Sequence, residues 1–350
     1  MVGKTQQSFW IYYWQDNEIW RVDDQGQNRE LLVDTLQRLG QWLTAHPMEG
    51  TDCCWSGPRV VVSPDRQKLA LVVVDKNELT YQGEPFSFSI YVFDVETRSV
   101  NFVSEGVQPV WSPDSRYIAF LKEEYGGLWI ADLETGLLHE RVVRHEDPIT
   151  HIAEYAWSAD ATQIAYLYNY GAYQRISTIW LIHAENEAPP RQLLNQDFPI
   201  YGITWSPDGQ QIFFLSQEGG RDTSHYHSVQ NLWSVSVITG GQTQLTQEMV
   251  VDTYVLSPDN QWLFMTGYHL YERSEESYDR DLWLLKLDNA DLRRLTANLG
   301  SVVAADWSPD GTRLVVGRYE LDPLLFSLGD GTATAVNTGT VSNFAVGDLR

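Results

Sequence analysis

The amino-acid sequence predicts an all-β protein, a seven-bladed β-propeller of four-stranded antiparallel blades, and three observations lead to this fold class. A Ser-Pro-Asp turn or a close variant recurs six times at nearly constant spacing. Short runs rich in Val, Ile, Tyr, Phe and Trp fill the intervals between these turns. The two ends of the chain supply complementary parts of one further blade. A six-bladed ring is the alternative if the two ends do not pair.

The recurring turn has the form Trp-Ser-Pro-Asp-Gly, with variants such as Trp-Ser-Ala-Asp at 157–160. Successive Asp residues are 49, 46, 48, 51 and 51 positions apart, and they are Asp65, Asp114, Asp160, Asp208, Asp259 and Asp310. Proline presets φ for a type I turn, and the Asp side chain can accept hydrogen bonds from the local backbone. The motif is therefore a tight hairpin turn that joins the innermost strand of each blade, strand A, to strand B.

Each interval is long enough for four short strands and their turns. Runs such as 128–132, 179–182 and 282–285 combine apolar and aromatic residues, and they mark the third strand, C. A short turn then leads to a fourth, outer strand, D, as at 242–246 and 292–296. One period of the repeat therefore corresponds to one blade.

The chain termini supply the seventh blade. Residues 9–14, 18–22 and 28–32 read as strands B, C and D with no preceding strand A. Residues 339–348 match the strand A pattern and follow the last strand D. Pairing of the two ends would remove an exposed sheet edge. The sequence therefore predicts a single propeller domain over 1–350, with 34–57 as an inserted D–A connection that contains a short amphipathic helix packed over the propeller mouth.

The charge of the chain disfavours several partners. Lys and Arg number 24 and Asp and Glu number 47, which gives a net charge of −23. Nucleic acids and anionic membrane surfaces attract basic proteins, so we expect no nucleic-acid partner. We also expect no membrane insertion, because no run reaches about 18 apolar residues, and we expect a monomer. The two cysteines, Cys53 and Cys54, are adjacent and offer no metal-ligand spacing.

The repeat, best seen as Trp-Ser-Pro-Asp-Gly at 205–209 and as the Ile-Tyr-Val-Phe-Asp strand at 90–94, resembles the PD40 repeat of TolB-like and WD40-like propellers. The resemblance spans nearly the whole chain and implies the propeller fold. Similar blades occur in TolB, in tricorn-type proteases and in prolyl-oligopeptidase-like enzymes, so the repeat specifies the fold more than the function. The resemblance also implies a bacterial protein of the periplasm or cell envelope if a signal peptide was removed; the first eight residues contain no signal peptide, and otherwise we expect a cytoplasmic protein.

The predicted binding surface lies on one face of the ring. The B–C loops at 76–87, 168–177, 217–230 and 267–280 and the connection at 34–57 all fall on this face. Aromatic and Arg side chains, which often anchor interfaces, are frequent in these loops; alternatively the loops pack their own aromatics against one another. The candidate ligand-binding or partner-binding residues are Tyr170, Tyr173, His225, Tyr226, His227, Tyr268, His269, Tyr271 and Tyr278.

Catalytic motifs do not stand out in the sequence. It has no Gly-x-Ser-x-Gly elbow, no His-Glu-x-x-His motif and no Walker loop. His225 and His227 could contact a metal if extended, with Asp222 or His269 nearby, but two uncoupled histidines are the simpler interpretation. We therefore expect no catalytic residue, no metal and no cofactor.

These observations predict a non-catalytic scaffold protein that recognises a protein or peptide partner through its loop-rich, aromatic face. The alternative is a propeller enzyme, a hydrolase or lyase that is carbohydrate-active or metal-dependent. Its site would lie near the central channel on the same face, because propeller enzymes assemble their sites from scattered residues.

Overall fold

Antiparallel β-strands make up the regular structure, and they form the seven blades of a propeller. The computed structural model describes residues 9–336 except 16–17, 35–59, 76–86, 123–126, 144–149, 171–175, 218–228, 270–280, 297–301, 309, 319–320 and 330–331. Within these residues, 27 strands form seven antiparallel sheets and no helix occurs. The predicted all-β, seven-bladed fold is confirmed, and the six-bladed alternative is not.

The strands follow one another in chain order within every blade. The terminal blade contains β1 (Trp10–Gln15), β2 (Glu18–Asp23) and β3 (Glu30–Asp34). Blades 1 to 3 contain β4 (Val60–Val62), β5 (Lys68–Asp75), β6 (Ser87–Asp94) and β7 (Val100–Glu105); β8 (Val107–Trp111), β9 (Tyr117–Leu121), β10 (Leu128–Asp132) and β11 (Leu138–Val142); β12 (Thr150–Trp157), β13 (Gln163–Tyr170), β14 (Ile176–His183) and β15 (Arg191–Gln196).

Blades 4 to 6 repeat the same order. They contain β16 (Ile200–Trp205), β17 (Gln211–Ser216), β18 (Asn231–Ser236) and β19 (Gln242–Gln244); β20 (Met249–Leu256), β21 (Trp262–His269), β22 (Asp281–Lys286) and β23 (Asp291–Thr296); β24 (Val302–Trp307), β25 (Arg313–Arg318), β26 (Leu321–Ser327) and β27 (Ala333–Ala335). The first strand of each blade lies at one edge of its sheet. The first strands contact each other in the pairs β4 and β8, β8 and β12, β12 and β16, and β20 and β24, so they form the inner wall of the ring.

The Ser-Pro-Asp turns have one geometry in all six copies. The Ser hydroxyl donates to the Asp carboxylate over 2.5–2.8 Å. The same hydroxyl oxygen accepts the backbone N–H five residues after the Ser, over 2.8–2.9 Å. The side chains thus close the turn that the sequence predicts between strands A and B. Their recurrence identifies these Asp residues as structural.

The Trp of the motif connects neighbouring blades. In four blades its indole N–H donates to a backbone carbonyl on the first strand of the preceding blade, over 2.9–3.2 Å. The four donors are Trp111, Trp157, Trp205 and Trp307. Because a buried indole N–H needs an acceptor, this bond fixes the position of one blade on the next.

The terminal blade closes the ring from both sides. It packs against blade 1 through a buried apolar cluster that includes Tyr12 and Phe93. It packs against blade 6 through a second cluster that includes Ile11 and Val315. Arg313 of blade 6 also forms a fully buried ion pair with Asp24, at 2.5 Å. The predicted closing strand at 339–348 lies outside the described residues, as does the predicted connection and helix at 34–57 except for Asp34, which ends β3.

The inner strands share a local irregularity. β8, β12, β16, β20 and β24 each contain a bulge, at which their register with the second strand shifts, two to five residues before the turn motif. A bulge inserts extra backbone and redirects the adjacent side chains. The bulges therefore determine which side chains and peptide groups of the inner strands face away from the regular sheet pairing at the inner wall.

Candidate functional site

A cavity of about 430 Å³ opens at the bulges of three consecutive inner strands, β12, β16 and β20. Its wall combines carboxylates, tyrosines, a glutamine and backbone groups. The lining residues are Glu154, Tyr201, Gly202, Ile203, Thr204, Leu215, Gln230, Asp252, Thr253 and Tyr254. A volume of this size is typical of sites for small molecules.

Glu154 is the central ionisable group of this wall. The bulge of β12 places Ala153 as an extra residue between the paired Ile152 and Glu154. The half-buried Glu154 reaches the next blade, where its Oε2 accepts the Ile203 N–H over 3.0 Å. Burial raises the pKa of the Glu154 carboxyl, and the backbone N–H groups of Gly202 and Ile203 oppose this rise.

Gly202 gives the wall its shape at β16. Gly202 and Ile203 together face one residue of β17, because Tyr201 pairs with Leu215 and Thr204 pairs with Phe213. Gly202 has φ +63°, a left-handed conformation that favours glycine. A Cβ at this position would lie 3.5 Å from Tyr254 Cε1, an ordinary contact. The requirement for glycine is therefore conformational rather than steric.

Tyr254 approaches the same backbone from blade 5. Its hydroxyl donates to the Gly202 carbonyl. Burial raises the pKa of Tyr254 well above its usual range; a hydrogen bond with the Thr204 side chain opposes this rise, and the nearby charge of Glu154 adds to it. Tyr254 is therefore a neutral hydrogen-bond donor at physiological pH.

Gln230 connects the cavity to the loop-rich face, because it ends the predicted B–C loop at 217–230. Its backbone exchanges hydrogen bonds with β20: the Gln230 N–H donates to Met249 and the Val251 N–H donates to Gln230, each over 2.9 Å. Its side-chain amide also donates to the Val251 carbonyl over 2.9 Å. The cavity is thus attached to the face on which the sequence predicts the binding surface.

Three of the predicted binding residues fall within the described part of the chain. Tyr268 is buried, with 6% of its surface exposed, near the end of β21. His269 follows it, is half-buried and pairs with Met249. Tyr170 ends β13, where it pairs with Thr150 and Ile176. Tyr268 and His269 are not among the described residues that line the cavity.

The other predicted binding residues, Tyr173, His225, Tyr226, His227, Tyr271 and Tyr278, lie outside the described residues. The predicted binding surface therefore stays a prediction. Within the described part of the chain, no three His, Cys, Asp or Glu residues lie close enough together to hold a metal ion. No helix there is long and apolar enough to cross a membrane.

Sequence reasoning missed the residues that form the cavity. Glu154, Gly202 and Thr253 occupy one equivalent position, three residues before the first residue of the turn motif. Gln108 and Ala304 occupy it in blades 2 and 6. An acidic residue at an inner-strand position that is Arg, Gln, Gly, Thr or Ala in the other copies of the motif was the available signal.

The comparisons with known proteins agree on the fold. No protein-family model matches the chain. The uncharacterized protein Atu1656 of Agrobacterium fabrum is 25% identical in an alignment of 260 residues that covers 69% of this chain and 77% of that protein. An oligogalacturonate lyase in complex with manganese has a TM-score of 0.62 at 15% identity, over 79% of this chain and 75% of the lyase.

Two further solved structures extend this picture. The acylaminoacyl peptidase of Pyrococcus horikoshii has a TM-score of 0.61 at 16% identity, over 81% of this chain and 46% of the peptidase. The β-propeller domain of the trilobed protease of Pyrococcus furiosus has a TM-score of 0.59 at 15% identity, over 81% of this chain and 84% of that domain. The resemblance to TolB-like propellers with PD40 repeats is thus confirmed at the level of the fold.

The prediction of a non-catalytic scaffold is corrected by these neighbours. The similar propellers come from enzymes, a lyase and a peptidase, and they favour the alternative interpretation of a propeller enzyme. The prediction was wrong because it relied on catalytic motifs whose residues are contiguous in sequence. The cavity instead combines side chains from three blades, whose positions 154, 203 and 254 are about one repeat apart.

Proposed function

We propose that this protein is a propeller enzyme, a hydrolase or lyase, whose substrate binds in the cavity beside the central channel and exchanges a proton with Glu154. One observation carries the proposal: a carboxyl with a raised pKa lines a cavity of about 430 Å³. Ionisable groups whose proton affinity is shifted by burial are concentrated at catalytic sites.

The geometry of Glu154 suits general acid–base catalysis. Burial favours its protonated form and raises its pKa, while the Ile203 N–H stabilises its ionised form, so the surroundings support both the acid and the base that such catalysis needs. A hydrolase needs such a group to protonate a leaving atom or to activate water. A lyase needs it to remove a proton from carbon. Both reaction types match the residue that is present.

The charges of the wall favour an uncharged or cationic substrate. The wall contains the carboxylates of Glu154 and Asp252, and among the described residues that line it there is no Lys or Arg. The whole chain has a net charge of −23, which repels polyanions over a long range. The exposed Tyr201 side chain of the wall offers apolar ring surface and a hydroxyl group, a combination that suits a sugar or a small peptide.

The test is an activity screen with three groups of substrates: neutral p-nitrophenyl glycosides, N-acyl-aminoacyl p-nitroanilides, and oligogalacturonate with and without Mn²⁺. We expect turnover of a neutral substrate by the unchanged protein. Glu154→Gln should lower its kcat by about 100-fold or more, which is typical for loss of a general acid or base.

The matched control is Glu140→Gln, which changes an exposed carboxylate on β11, far along the blade from the inner wall. This variant should keep the activity of the unchanged protein. Equal activity of Glu154→Gln and Glu140→Gln would refute the assignment of Glu154. Turnover of oligogalacturonate in preference to neutral substrates would refute the substrate class.

A further inference from the structure

One peptide group, the amide that joins Gly202 to Ile203, touches two functional side chains of the cavity. Its carbonyl oxygen accepts the hydroxyl of Tyr254 from blade 5. Its N–H donates over 3.0 Å to Oε2 of Glu154 from blade 3. A phenol and a carboxylate from blades on either side of blade 4 therefore occupy the two ends of a single amide.

An amide transmits polarisation between its ends. A donor on the carbonyl oxygen draws electron density toward oxygen, and the N–H of the same amide becomes a stronger donor. A stronger N–H stabilises a carboxylate more than a neutral carboxyl, because hydrogen bonding to the charged form favours that form. The Tyr254 hydroxyl thus acts on the proton equilibrium of Glu154 without touching it.

We propose that Tyr254 is a positioning residue for Glu154 and acts on it through the peptide group between Gly202 and Ile203. Its importance for catalysis rests on the proposed function of Glu154. The coupling of the Tyr254 hydroxyl to the Glu154 carboxylate concerns proton binding alone. It can therefore be measured with no substrate present.

The chain contains its own control for this coupling. Between blades 2 and 3, the Tyr155 hydroxyl donates to the Gln108 carbonyl. Gln108 has φ +55°, which resembles the left-handed conformation of Gly202. The next residue is Pro109, which has no N–H. The same tyrosine contact therefore exists at Gln108 without any N–H that could pass its effect to a carboxylate.

Other ionisable groups also surround Glu154. Asp252, Tyr201 and Tyr254 share the cavity wall with it. On β13 its paired residue is Leu167, flanked by Tyr166 and Tyr168, and its own strand contains His151 and Tyr155. β8, which contacts β12, has no ionisable residue. Asp252 is the other carboxylate of the wall and is exposed, and substitution at Tyr254 or Tyr155 leaves its charge in place.

The experiment follows the side-chain carboxyl ¹³C resonance of Glu154 by NMR as a function of pH, with the resonance assigned by its loss in Glu154→Gln. Four proteins are compared: the unchanged chain, Tyr254→Phe, Tyr155→Phe, and a chain with 3,5-difluorotyrosine at position 254. The fluorinated ring has almost the same shape and a more acidic hydroxyl, so it keeps the contact and donates more strongly.

We expect Tyr254→Phe to raise the proton-binding constant of Glu154 by about threefold, because hydrogen-bond polarisation changes binding energies by a modest fraction. Difluorotyrosine should lower that constant, and Tyr155→Phe should leave it unchanged. A proton-binding constant that rises in Tyr254→Phe and falls with difluorotyrosine distinguishes coupling from a general loosening of the fold. If Tyr254→Phe does not fold, the fluorinated chain still tests the proposal.

Equal titration midpoints in the unchanged chain and the fluorinated chain would overturn the proposal, as would equal shifts in Tyr254→Phe and Tyr155→Phe. These outcomes are independent of the proposed function. If Glu154→Gln retains full activity while Tyr254→Phe shifts the titration, the coupling stands and the catalytic assignment fails.

Discussion

The junction between blades 2 and 3 and the junction between blades 4 and 5 contain the same tyrosine contact in different surroundings. In each, a tyrosine two residues before the turn motif's first residue donates its hydroxyl to a left-handed residue of the preceding blade. At the first junction the following residue is Pro109. At the second it is Ile203, whose N–H binds Glu154.

The difference shows how a repeat can serve two purposes. The tyrosine contact by itself connects two blades, which is a structural task that any pair of blades requires. At the second junction the following residue is Ile203 rather than proline, so an N–H is present. This N–H also holds the Glu154 carboxylate at the wall of the cavity. The candidate site is therefore a local departure from the repeat, built on a tyrosine contact that one other junction also contains.

The largest effect is expected from placing proline in blade 4 at Ile203, the position that Pro109 occupies in blade 2. Ile203→Pro should destabilise the protein by about 3 kcal/mol at pH 7, because the half-buried Glu154 carboxylate loses a charge-assisted hydrogen bond. Pro109 shows that the backbone at this position accepts proline after a left-handed residue. Urea unfolding at pH 7 and pH 4 measures the effect, which should be smaller at pH 4, where more of Glu154 is protonated.

Ile203→Val is the matched control for the proline variant. It keeps the N–H and removes one methylene from a buried side chain, so it should cost about 1 kcal/mol at both pH values. If Ile203→Pro costs the same at pH 7 and pH 4, the N–H of Ile203 has no special relation to the charge on Glu154.

A smaller effect is expected from substitutions at the two left-handed residues, Gly202 and Gln108. Gly202→Ala should cost about 1 kcal/mol, because a residue with a Cβ is strained at φ +63° and the contacts of the added methyl are ordinary. Gln108→Gly should stay within about 0.5 kcal/mol of the unchanged protein, since relief of strain is offset by the greater freedom of glycine in the unfolded chain. Thermal unfolding of both variants measures the contrast.

Equal costs for these two substitutions would contradict the interpretation of Gly202. The wall at β16 would then depend on packing around the cavity rather than on the left-handed backbone. Gly202→Asn is a useful third variant, because Asn adopts this conformation more readily than Ala and should cost less.

The fold was predictable because its signals are local and repeated. Each Ser-Pro-Asp turn closes through side chains within five residues of one another, so the motif can be read without the rest of the chain. Leu256 shows that the pattern survives loss of its Trp, since Ser257 and Asp259 still form the turn. The seven blades follow from counting these turns and from the complementary ends.

The site was not predictable from the same signals because it depends on contacts between repeats. Glu154, Ile203 and Tyr254 meet only when three blades stand side by side. The bulges that redirect these residues involve a single extra position, which leaves no mark in the apolar pattern. Composition instead drew attention to the tyrosines and histidines of the long loops. Aligning the inner strands on the turn motif would have shown that Glu154 is the one acidic residue at this position among the six copies of the motif.

The smallest expected effect is a change in pH dependence caused by Glu154→Gln. Because the folded protein raises the pKa of Glu154, the folded state binds its proton more tightly than the unfolded state does. The unchanged protein should therefore lose part of its stability as pH rises from below the ordinary carboxyl range, through the pKa of the folded state. A glutamine does not titrate, so the variant lacks this loss.

The stability of Glu154→Gln relative to the unchanged protein should thus increase with pH and level off once Glu154 is ionised in the folded state. Urea unfolding between pH 4 and pH 8 measures the difference, with Glu140→Gln as the control that should show no such trend. A difference that decreases with pH would mean that the N–H groups of Gly202 and Ile203 outweigh burial. The inner wall would then hold Glu154 as a permanently ionised carboxylate, suited to binding a cation and unsuited to donating a proton.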